Sequence, residues 1–439
     1  MTAKKLLFKN SRPLKYFIFS LISIVFAVML TSCEQNPTAP NEPPKPPGYQ
    51  EDIYWPSLAD NPWPMFQHDP QYTGRSNYKG PQNGHIINEF TFNAITEYSG
   101  ILLSKSDDIY FTFSNAPLPN GTAAFINKLN SQLILQWSID ISIGGSPEIA
   151  GKPILDADNN IYSGSYAGFL FSTKDNGVEN WRYNAGEIIH CGFAGINIDK
   201  FGNLYFSTTR TLIAITKYGN KLFELPEFKS SPIVFAPDGN TIYAINESFS
   251  LDALGLDGDI IWSYPFSSSW SPIPFIDSEG NIYLSENDST FISIDSNGKI
   301  RWKYFIQKDI GNSYYDFIDH YVASTLDKNG NIFFRTTNRI YSIDYFGKLR
   351  WVYDLPDAPG TNLLCDIEGT IYNGTWGEET GEASIYSISN SGLTNWQLSL
   401  GVGSKIRGSS LALSKDGKLL AIITDELSIP FYSRLIVVK

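Results

Sequence analysis

The stretch GNIYLSENDSTFISIDSNGKIRW, residues 280–302, decides the fold. It opens with a Gly-Asn pair, which supplies the positive φ angles of a tight turn, and the Ile-Tyr pair that follows begins a strand. A second turn, Asn297-Gly298, precedes a strand that contains Trp302. The stretch therefore predicts short antiparallel strands joined by tight turns.

Two phrases of this stretch recur along the chain. The first is a turn rich in Asp, Gly and Asn that is followed by two residues, the first apolar and the second aromatic or apolar. Its eight copies begin at Asp107, Asn159, Gly202, Gly239, Gly280, Gly330, Gly369 and Gly417. The second is a glycine followed, after three residues, by a large aromatic: Gly177/Trp181, Gly219/Phe223, Gly258/Trp262, Gly298/Trp302, Gly347/Trp351 and Gly392/Trp396, with Trp137 in the same position without the glycine. A period of about 40–50 residues with three or four short strands per unit is typical of a propeller blade.

We therefore predict an all-β, eight-bladed β-propeller, with seven blades as the alternative if the divergent terminal units do not each form a sheet. The eighth unit ends before a second phrase. Residues 84–90 (GHIINEF) have the same glycine spacing, with Asn88 in place of the aromatic. If this N-terminal strand completes the eighth blade, the ring is closed and no sheet edge is left open.

Composition excludes several classes of protein. The 439 residues are 42% hydrophobic and 14% aromatic, which is too apolar for a disordered chain. The net charge is −12, and an acidic protein repels phosphate backbones, so we expect no nucleic-acid partner. Three cysteines and four histidines, with no Cys-x-x-Cys or His-x-x-x-His spacing, do not indicate a metal site.

The N-terminus has the pattern of a secretion signal. Residues 1–15 are basic, residues 17–30 (FIFSLISIVFAVML) are apolar, and Leu30-Thr31-Ser32-Cys33 ends the run. This tetrapeptide resembles the bacterial lipobox, which implies a diacylglycerol on the Cys33 thiol. The alternatives are an uncleaved anchor helix or an ordinary signal with an incidental cysteine. Glu34 differs from the aspartate that keeps enteric lipoproteins on the inner membrane, so the outer membrane is favoured.

A proline-rich segment, residues 36–48 (NPTAPNEPPKPPG), follows the cysteine. Proline at this density predicts an extended spacer that holds a folded body away from the membrane. We expect three parts: a lipoprotein signal peptide at 1–32, the lipidated Cys33 with a linker at 33–61, and the propeller at 62–439.

Residues 63–76 (WPMFQHDPQYTGRS) resemble the leader of bacterial propellers built from pyrroloquinoline-quinone-like (PQQ-like) repeats. The repeat pattern Gly-Asn-Ile-Tyr, Ile-Asp-x-x-Gly-Lys, Trp is similar to theirs, and the resemblance covers residues 62–439. In anchor and repeat type the chain is also distantly similar to the propeller lipoprotein of the outer-membrane β-barrel assembly machinery. The resemblance implies the fold and leaves the function open, because such propellers include both enzymes and scaffolds.

Enzyme motifs are missing from the sequence. Quinone-dependent dehydrogenases of this family are similar in having a tryptophan platform, a bound Ca²⁺ and often a disulfide between adjacent cysteines. This chain has no Cys-Cys pair, its tryptophans recur at blade positions, and it has no Gly-x-Ser-x-Gly elbow and no phosphate loop. We therefore predict that the protein is not an enzyme and has no catalytic residues, cofactor or metal.

Candidate binding residues lie in the loops that lead into the inner strands, because these loops all emerge on one face of a propeller. They are residues 186–191, 267–271, 309–321 and 401–408. Aromatic and arginine side chains suit a binding hot spot. The candidates are His190, Trp270, Tyr314, Tyr315, Phe317, His320, Tyr321 and Arg407. The alternative is that several of them pack down and plug the channel.

A further long loop, residues 374–383 (GTWGEETGEA), is acidic and predicts a solvated hairpin tip. For the function, we expect a lipid-anchored envelope protein whose propeller is a non-catalytic scaffold for a protein partner. The second hypothesis is a surface module that binds a glycan or another polymer, and the third is a quinone-dependent or other enzyme. The expected partners are an envelope protein and, through the lipid, the membrane.

Overall fold

The computed structural model describes residues 45–94, 99–118, 121–142, 152–189, 195–228, 232–266, 271–306, 317–320, 322–408, 411–428 and 432–439, with the backbone alone at 114–118 and 121–123. The chain divides into two units, residues 1–46 and residues 47–439. All strands of the described ranges belong to the second unit. In these ranges we find no helix with the length and apolar character needed to cross a membrane.

Seven four-stranded antiparallel sheets and one five-stranded sheet follow one another along the chain, and each sheet is one blade. Blade 1 contains β2 Ile101–Leu103, β3 Ile109–Leu118, β4 Gly121–Leu129 and β5 Leu135–Asp140, and blade 2 contains β6 Ile154–Leu155, β7 Ile161–Gly164, β8 Phe169–Thr173 and β9 Glu179–Asn184. Blade 3 contains β10 Asn197–Ile198, β11 Leu204–Ser207, β12 Thr211–Ile215 and β13 Lys221–Pro226, and blade 4 contains β14 Val234–Phe235, β15 Thr241–Ile245, β16 Ser250–Gly255 and β17 Ile260–Pro265.

Blade 5 contains β18 Phe275–Ile276, β19 Ile282–Asn287, β20 Thr290–Ile294 and β21 Ile300–Phe305. Blade 6 contains β22 Thr325–Leu326, β23 Ile332–Arg335, β24 Arg339–Ile343 and β25 Leu349–Asp354, and blade 7 contains β26 Leu364–Cys365, β27 Ile371–Gly374, β28 Ser384–Ile388 and β29 Thr394–Ser399. Blade 8 contains β30 Ser404–Lys405, β31 Ala412–Leu413, β32 Leu419–Asp425, β33 Tyr432–Val438 and the N-terminal β1 Ile86–Phe92. In blades 1 to 7 the short inner strand is buried, whereas the outer strand is about half exposed.

The first phrase of the repeat folds as a hydrogen-bonded turn between the inner and second strands. In blade 5, Asp277 Oδ1 accepts hydrogen bonds from the N–H groups of Glu279 (3.0 Å) and Asn281 (2.8 Å). Its Oδ2 accepts from Asn281 Nδ2 (2.8 Å) and from the Tyr283 hydroxyl (2.7 Å). Gly280 completes the turn with a φ of +87°. Asp, Gly, Asn and Tyr therefore recur together because each supplies one part of the same turn.

The strands of a blade alternate in direction, which separates the connections into two sets. The Asp-rich turns and the turns that precede the outer strands lie on one side of the ring, which we call the turn face. The hairpins between second and third strands, and the connections from each outer strand to the next inner strand, lie on the opposite side, which we call the loop face. The described residues of the candidate binding loops belong to the loop face.

The two ends of the second unit meet in blade 8. Strand β1 pairs antiparallel with β33, with Phe90 opposite Leu435. Phe92 of β1 stacks on Phe113 of blade 1, with ring centres 4.9 Å apart. The predicted all-β propeller of eight blades closed by an N-terminal strand is confirmed, and the alternative of seven blades is wrong.

The leader, residues 55–76, crosses the turn-side ends of the inner strands. Its backbone carbonyls accept hydrogen bonds from each of blades 1 to 7 in turn: Trp63 from Leu103, Pro64 from Leu155, Pro70 from Asn197 and Phe235, Gln71 from Ile276, Thr73 from Thr325 and Gly74 from Cys365. Met65, Phe66 and Tyr72 are fully buried. The leader therefore fills the turn-side end of the central channel and joins the blades at their inner edges.

Candidate binding face

The structure describes three of the eight candidate binding residues, namely Phe317, His320 and Arg407, and all three lie on the loop face. Phe317 is 46% exposed, whereas His320 is buried and Arg407 is half-buried. The other five binding candidates lie outside the described residues: His190, Trp270, Tyr314, Tyr315 and Tyr321. The lipidation candidate Cys33 also lies outside them.

Both ring nitrogens of His320 have hydrogen-bond partners. Nδ1 lies 2.7 Å from Ser285 Oγ, and Nε2 lies 2.8 Å from Asp288 Oδ1. Serine, histidine and aspartate in this order have the connectivity of a hydrolytic triad. Their burial is reversed, because the serine is buried and the aspartate side chain is 71% exposed. These hydrogen bonds therefore fix residues 317–320 against blade 5, and the His320 ring offers no nitrogen to a ligand.

Arg407 lies at the junction of blades 7 and 8. Its guanidinium pairs with the Glu426 carboxylate and lies 5.9 Å from the centre of the Trp376 ring. Trp376 is 37% exposed, and its backbone is hydrogen-bonded on both sides, to Ala358 O (2.8 Å) and from Ile406 N–H (3.1 Å). The indole is therefore presented to solvent from a loop whose backbone is held in place.

The loop at residues 374–383 is held to blade 8 by Lys405, while residues 376 and 378–381 are exposed, in agreement with the expected solvated hairpin tip. Lys405 is buried, and its ammonium group donates to the carbonyl of Gly377. The same group lies 3.3 Å from the Glu378 carboxylate. This lysine partly neutralises the acidic charge of the loop, and the contact holds the loop over the edge of blade 8.

Two exposed aliphatic side chains lie on the loops that carry Arg407 and its partner Glu426. Val402 is 76% exposed and Leu427 is 70% exposed. Leu427 packs over Gly403, where an added Cβ would lie 2.3 Å from Leu427 Cγ. We call this set the blade 7–8 patch, and it consists of Trp376, Val402, Arg407 and Leu427. It combines large apolar side chains with an arginine on one face.

Trp376 is the patch residue that sequence reasoning missed. The repeat tryptophans follow a glycine by four positions and lie on outer strands, whereas Trp376 follows the end of β27 by two residues. Its departure from the repeat is the signal that could have found it, because a tryptophan that the blade does not require needs another explanation.

Lys152 is a buried amine beside the leader. It is 3% exposed, and its Nζ lies 4.2 Å from the centre of the Phe66 ring. Within the described part of the chain, nothing forms a hydrogen bond or an ion pair with this Nζ. Burial lowers the pKa of Lys152 to about 7. An amine in this state can hold an anion when protonated or act as a nucleophile when neutral.

The resemblance to PQQ-like propellers implies a metal ion and a quinone. Within the described ranges, no three His, Cys, Asp or Glu side chains converge in a way that could hold a metal ion. Asp156, at the start of a calcium-like sequence, uses Oδ1 for the N–H groups of Asp158 and Asn160 and Oδ2 for Asn160 Nδ2 and the Tyr162 hydroxyl. The described residues therefore offer no ligand set for a metal, and we assign no step to a metal or a quinone.

No family model and no curated protein sequence matches this chain. Solved structures match its fold. A europium-containing methanol dehydrogenase has a TM-score of 0.63 and 12% identity, over 83% of this chain and 90% of that chain. Quinohemoprotein alcohol dehydrogenase ADHIIG from Pseudomonas putida HK5 has a TM-score of 0.63 and 10% identity, over 87% and 80% of the two chains. This chain shares the propeller fold of these two dehydrogenases.

The expected PQQ-like propeller is thus confirmed at the level of the fold. BamB from Moraxella catarrhalis also matches, with a TM-score of 0.44 and 15% identity, over 63% of this chain and 91% of that chain. The two dehydrogenases contradict the prediction that the protein is not an enzyme. That prediction rested on missing motifs, and both of these proteins are dehydrogenases with this same propeller.

Proposed function

We propose that this protein is a lipid-anchored component of the bacterial cell envelope whose propeller binds a protein partner at the blade 7–8 patch. The observation that supports this function is the exposed Trp376 ring, with Arg407 beside it and two exposed aliphatic side chains on the neighbouring loops. Tryptophan and arginine are the residues most enriched in protein-binding hot spots, and apolar neighbours exclude water around them when a partner binds.

The loops of the patch are held in place before binding. Ile406 N–H donates to the Trp376 carbonyl (3.1 Å), which joins the loop of blade 7 to the entry of blade 8. Glu426 N–H donates to the Gly403 carbonyl (3.0 Å). This bond joins the segment that enters blade 8 to the hairpin between β32 and β33, which carries Leu427. Because these backbones are ordered already, a partner that binds here loses little affinity to loop ordering.

The anchor is supported by the sequence Leu30-Thr31-Ser32-Cys33 after a basic and then an apolar segment. Two or more acyl chains on the mature N-terminus hold a protein stably on a membrane, whereas one chain gives only marginal binding. Glu34 favours the outer membrane. The proposed partner is therefore another envelope protein, which meets the propeller at its loop face.

Photo-crosslinking in intact cells tests this function. A photoreactive amino acid replaces Val402 or Leu427 in the full chain, and the control site is Ile260, which is 60% exposed on the outer strand β17 of blade 4. We expect one envelope protein to crosslink at positions 402 and 427 and not at 260. Crosslinking of no protein, or of the same protein at all three sites, would overturn the proposal.

The variant Trp376→Ala supplies the second measurement. It should lower the crosslink at position 402 at least about tenfold, because truncation of a hot-spot side chain costs about 2 kcal/mol or more of binding energy. Its thermal unfolding should stay within about 4 °C of the parent, since the indole is partly exposed and the loop is held by its backbone. An undiminished crosslink in a folded Trp376→Ala protein would remove the patch from the partner-binding surface.

A further inference from the structure

Blade 3 departs from the repeat at its Asp-rich turn. The residue before the glycine position of this turn is polar in seven blades: Ser106, Asp158, Asp238, Glu279, Asn329, Glu368 and Asp416. In blade 3 it is Phe201, which is 71% exposed. The turn does not need an aromatic there, since the other blades form it with a polar residue. Phe201 therefore serves something other than the fold of its own turn.

The second turn of blade 3 also carries an exposed aromatic residue, as blade 6 does at Phe346. Tyr218, in the turn before the outer strand β13, is 70% exposed. Lys217 precedes it, and its Nζ lies 5.4 Å from the centre of the Tyr218 ring. The two turns are adjacent, because a Cβ on Gly202 would lie 3.5 Å from Lys217 Cδ. Blade 3 thus places two exposed aromatic rings and a lysine together on the turn face.

The N-terminal segment adds a third exposed ring to this region. Tyr54 is 82% exposed, and the residue after it, Trp55, donates from Nε1 to the Ile198 carbonyl of blade 3 at 2.9 Å. The Ser57 hydroxyl donates to the Asp199 carbonyl, at the start of the turn that carries Phe201. We call Tyr54, Phe201, Lys217 and Tyr218 the blade 3 turn patch.

The start of the second unit limits how far this patch can lie from an anchored N-terminus. Thirteen residues separate Cys33 from Pro47, where the second unit begins. Even fully extended, a chain of this length spans no more than about 50 Å. Gln50 N–H donates to the Lys328 carbonyl (2.8 Å), so the chain joins the propeller on the turn face. A lipid on Cys33 therefore leaves the turn face within reach of the bilayer.

We propose that the blade 3 turn patch inserts into the interface of the lipid bilayer that carries the anchor. Tyrosine rings and lysine are enriched at membrane interfaces, where the ring enters the headgroup region and the ammonium stays at the surface. The exposed Phe201 ring adds apolar area between them. On this proposal the proline-rich segment does not hold the propeller clear of the membrane. A tether of 13 residues instead raises the effective concentration of bilayer near the patch, so a small apolar contact is sufficient. The inference rests on the lipid anchor of the proposed function and leaves the loop face free for a partner.

Fluorescence of the full lipidated chain in vesicles tests this placement. An environment-sensitive dye is attached to Phe201→Cys or, as a matched control, to Glu279→Cys, which occupies the same turn position in blade 5. Cys191 is replaced by Ala, and Cys365 is retained because it is buried. The vesicles contain phosphatidylethanolamine and phosphatidylglycerol with brominated acyl chains as the quencher. We expect quenching at position 201 to exceed that at position 279 at least about threefold.

Two further variants distinguish insertion of the blade 3 turn patch from nonspecific adsorption of the protein to the vesicles. With the dye at position 201, Lys217→Glu should reduce the quenching about twofold, because it places a negative charge against anionic lipid. Phe346→Ser, which removes another exposed turn-face aromatic far from blade 3, should leave it unchanged. Equal quenching at positions 201 and 279, or an equal effect of both variants, would overturn the patch.

The same preparation distinguishes failure of the anchor from failure of the patch. If the chain does not float with the vesicles at all, the lipid anchor of the proposed function is wrong, and the inference falls with it. If the chain floats and position 201 is not quenched, the anchor stands and only the patch is overturned. Crosslinking at positions 402 and 427 reports on the partner site independently of both.

Discussion

The indole Nε1 of Trp302 donates a 3.0 Å hydrogen bond to the backbone carbonyl of Tyr345, which belongs to the next blade. Gly347 lies in the same turn, and a Cβ there would come within 2.6 Å of Trp302 Cδ2. An equivalent hydrogen bond from an indole Nε1 to a backbone carbonyl is made by five other tryptophans: Trp137 to Asp175, Trp181 to Lys217, Trp262 to Ser296, Trp351 to Asn390 and Trp396 to Pro81. The glycine and the aromatic of the second phrase therefore recur because each indole packs on the glycine turn of the following blade.

Trp302→Ala should lower the free energy of unfolding by about 2–4 kcal/mol, because it removes a half-buried ring and leaves a gap between blades 5 and 6. Trp302→Phe should cost less, about 1 kcal/mol, since it keeps the ring and loses one hydrogen bond. Blade 3 has Phe223 in this position, so phenylalanine is compatible with the fold. Denaturant titration measures both. Equal losses for the two variants would show that ring packing contributes nothing, and an unchanged Trp302→Phe protein would contradict the contribution of the hydrogen bond.

The fold could be predicted from the sequence because its determinants are local or join neighbouring repeats. The Asp277 turn lies within seven residues, and the bond from Trp302 to Tyr345 links one unit to the next. Such contacts recur with the period of the chain and are visible as a pattern. The path of the leader is different, because Phe66 and Tyr72 are buried by contacts with inner strands far along the chain, which no periodicity indicates.

Ring closure gives a second stability prediction. Phe92 of β1 stacks on Phe113 at 4.9 Å and lies 5.3 Å from Phe111, both of blade 1. Phe92→Ala should therefore lower the free energy of unfolding by about 2–4 kcal/mol by loosening the contact between the first and last blades. Phe305→Ala, at a 50% exposed position on the outer strand β21, is the control and should cost about 1 kcal/mol or less. Comparable losses at both positions would show that this contact has no special role in closure.

Cys33→Ser tests the anchor directly. Without the thiol there is no acyl acceptor, so the chain should leave the membrane fraction and appear in the soluble fraction, because a weak surface contact does not hold a protein that lacks its lipid. Cell fractionation followed by detection of the propeller measures this outcome. Retention of the Cys33→Ser protein in the membrane fraction would show that the lipobox interpretation is wrong.

The candidate site could be predicted only in part, because burial of a loop side chain depends on residues distant in sequence. His320 looked like a binding residue, yet Ser285, 35 positions earlier, and Asp288 take up its ring nitrogens. Trp376 looked like part of a solvated loop, yet the backbone of Ile406 positions it beside Arg407. Composition identified the loop face as rich in aromatics and arginine, and only the contacts separate the buried members from the exposed ones.

Lys152 gives a pH dependence whose sign follows from its pKa. Burial lowers the pKa of the native lysine to about 7, against about 10.4 in an unfolded chain. Between these values the unfolded chain binds a proton that the native protein does not, so stability rises with pH across this window. Below about pH 7 both states are protonated, and this contribution is constant at its least favourable value. The Phe66 ring opposes the shift, since its face attracts the ammonium form.

Lys152→Met isolates this contribution, because methionine keeps an unbranched apolar chain and removes the amine. We expect the variant to be more stable than the parent near pH 7, by on the order of 3 kcal/mol, and the gap to close as pH rises toward about 10. Denaturant titrations of both proteins at several pH values measure the difference, in which the titration of all other groups cancels. Parallel stability curves across this range would mean that the native amine retains its ordinary pKa, which an amine buried beside Phe66 with no partner among the described residues should not do.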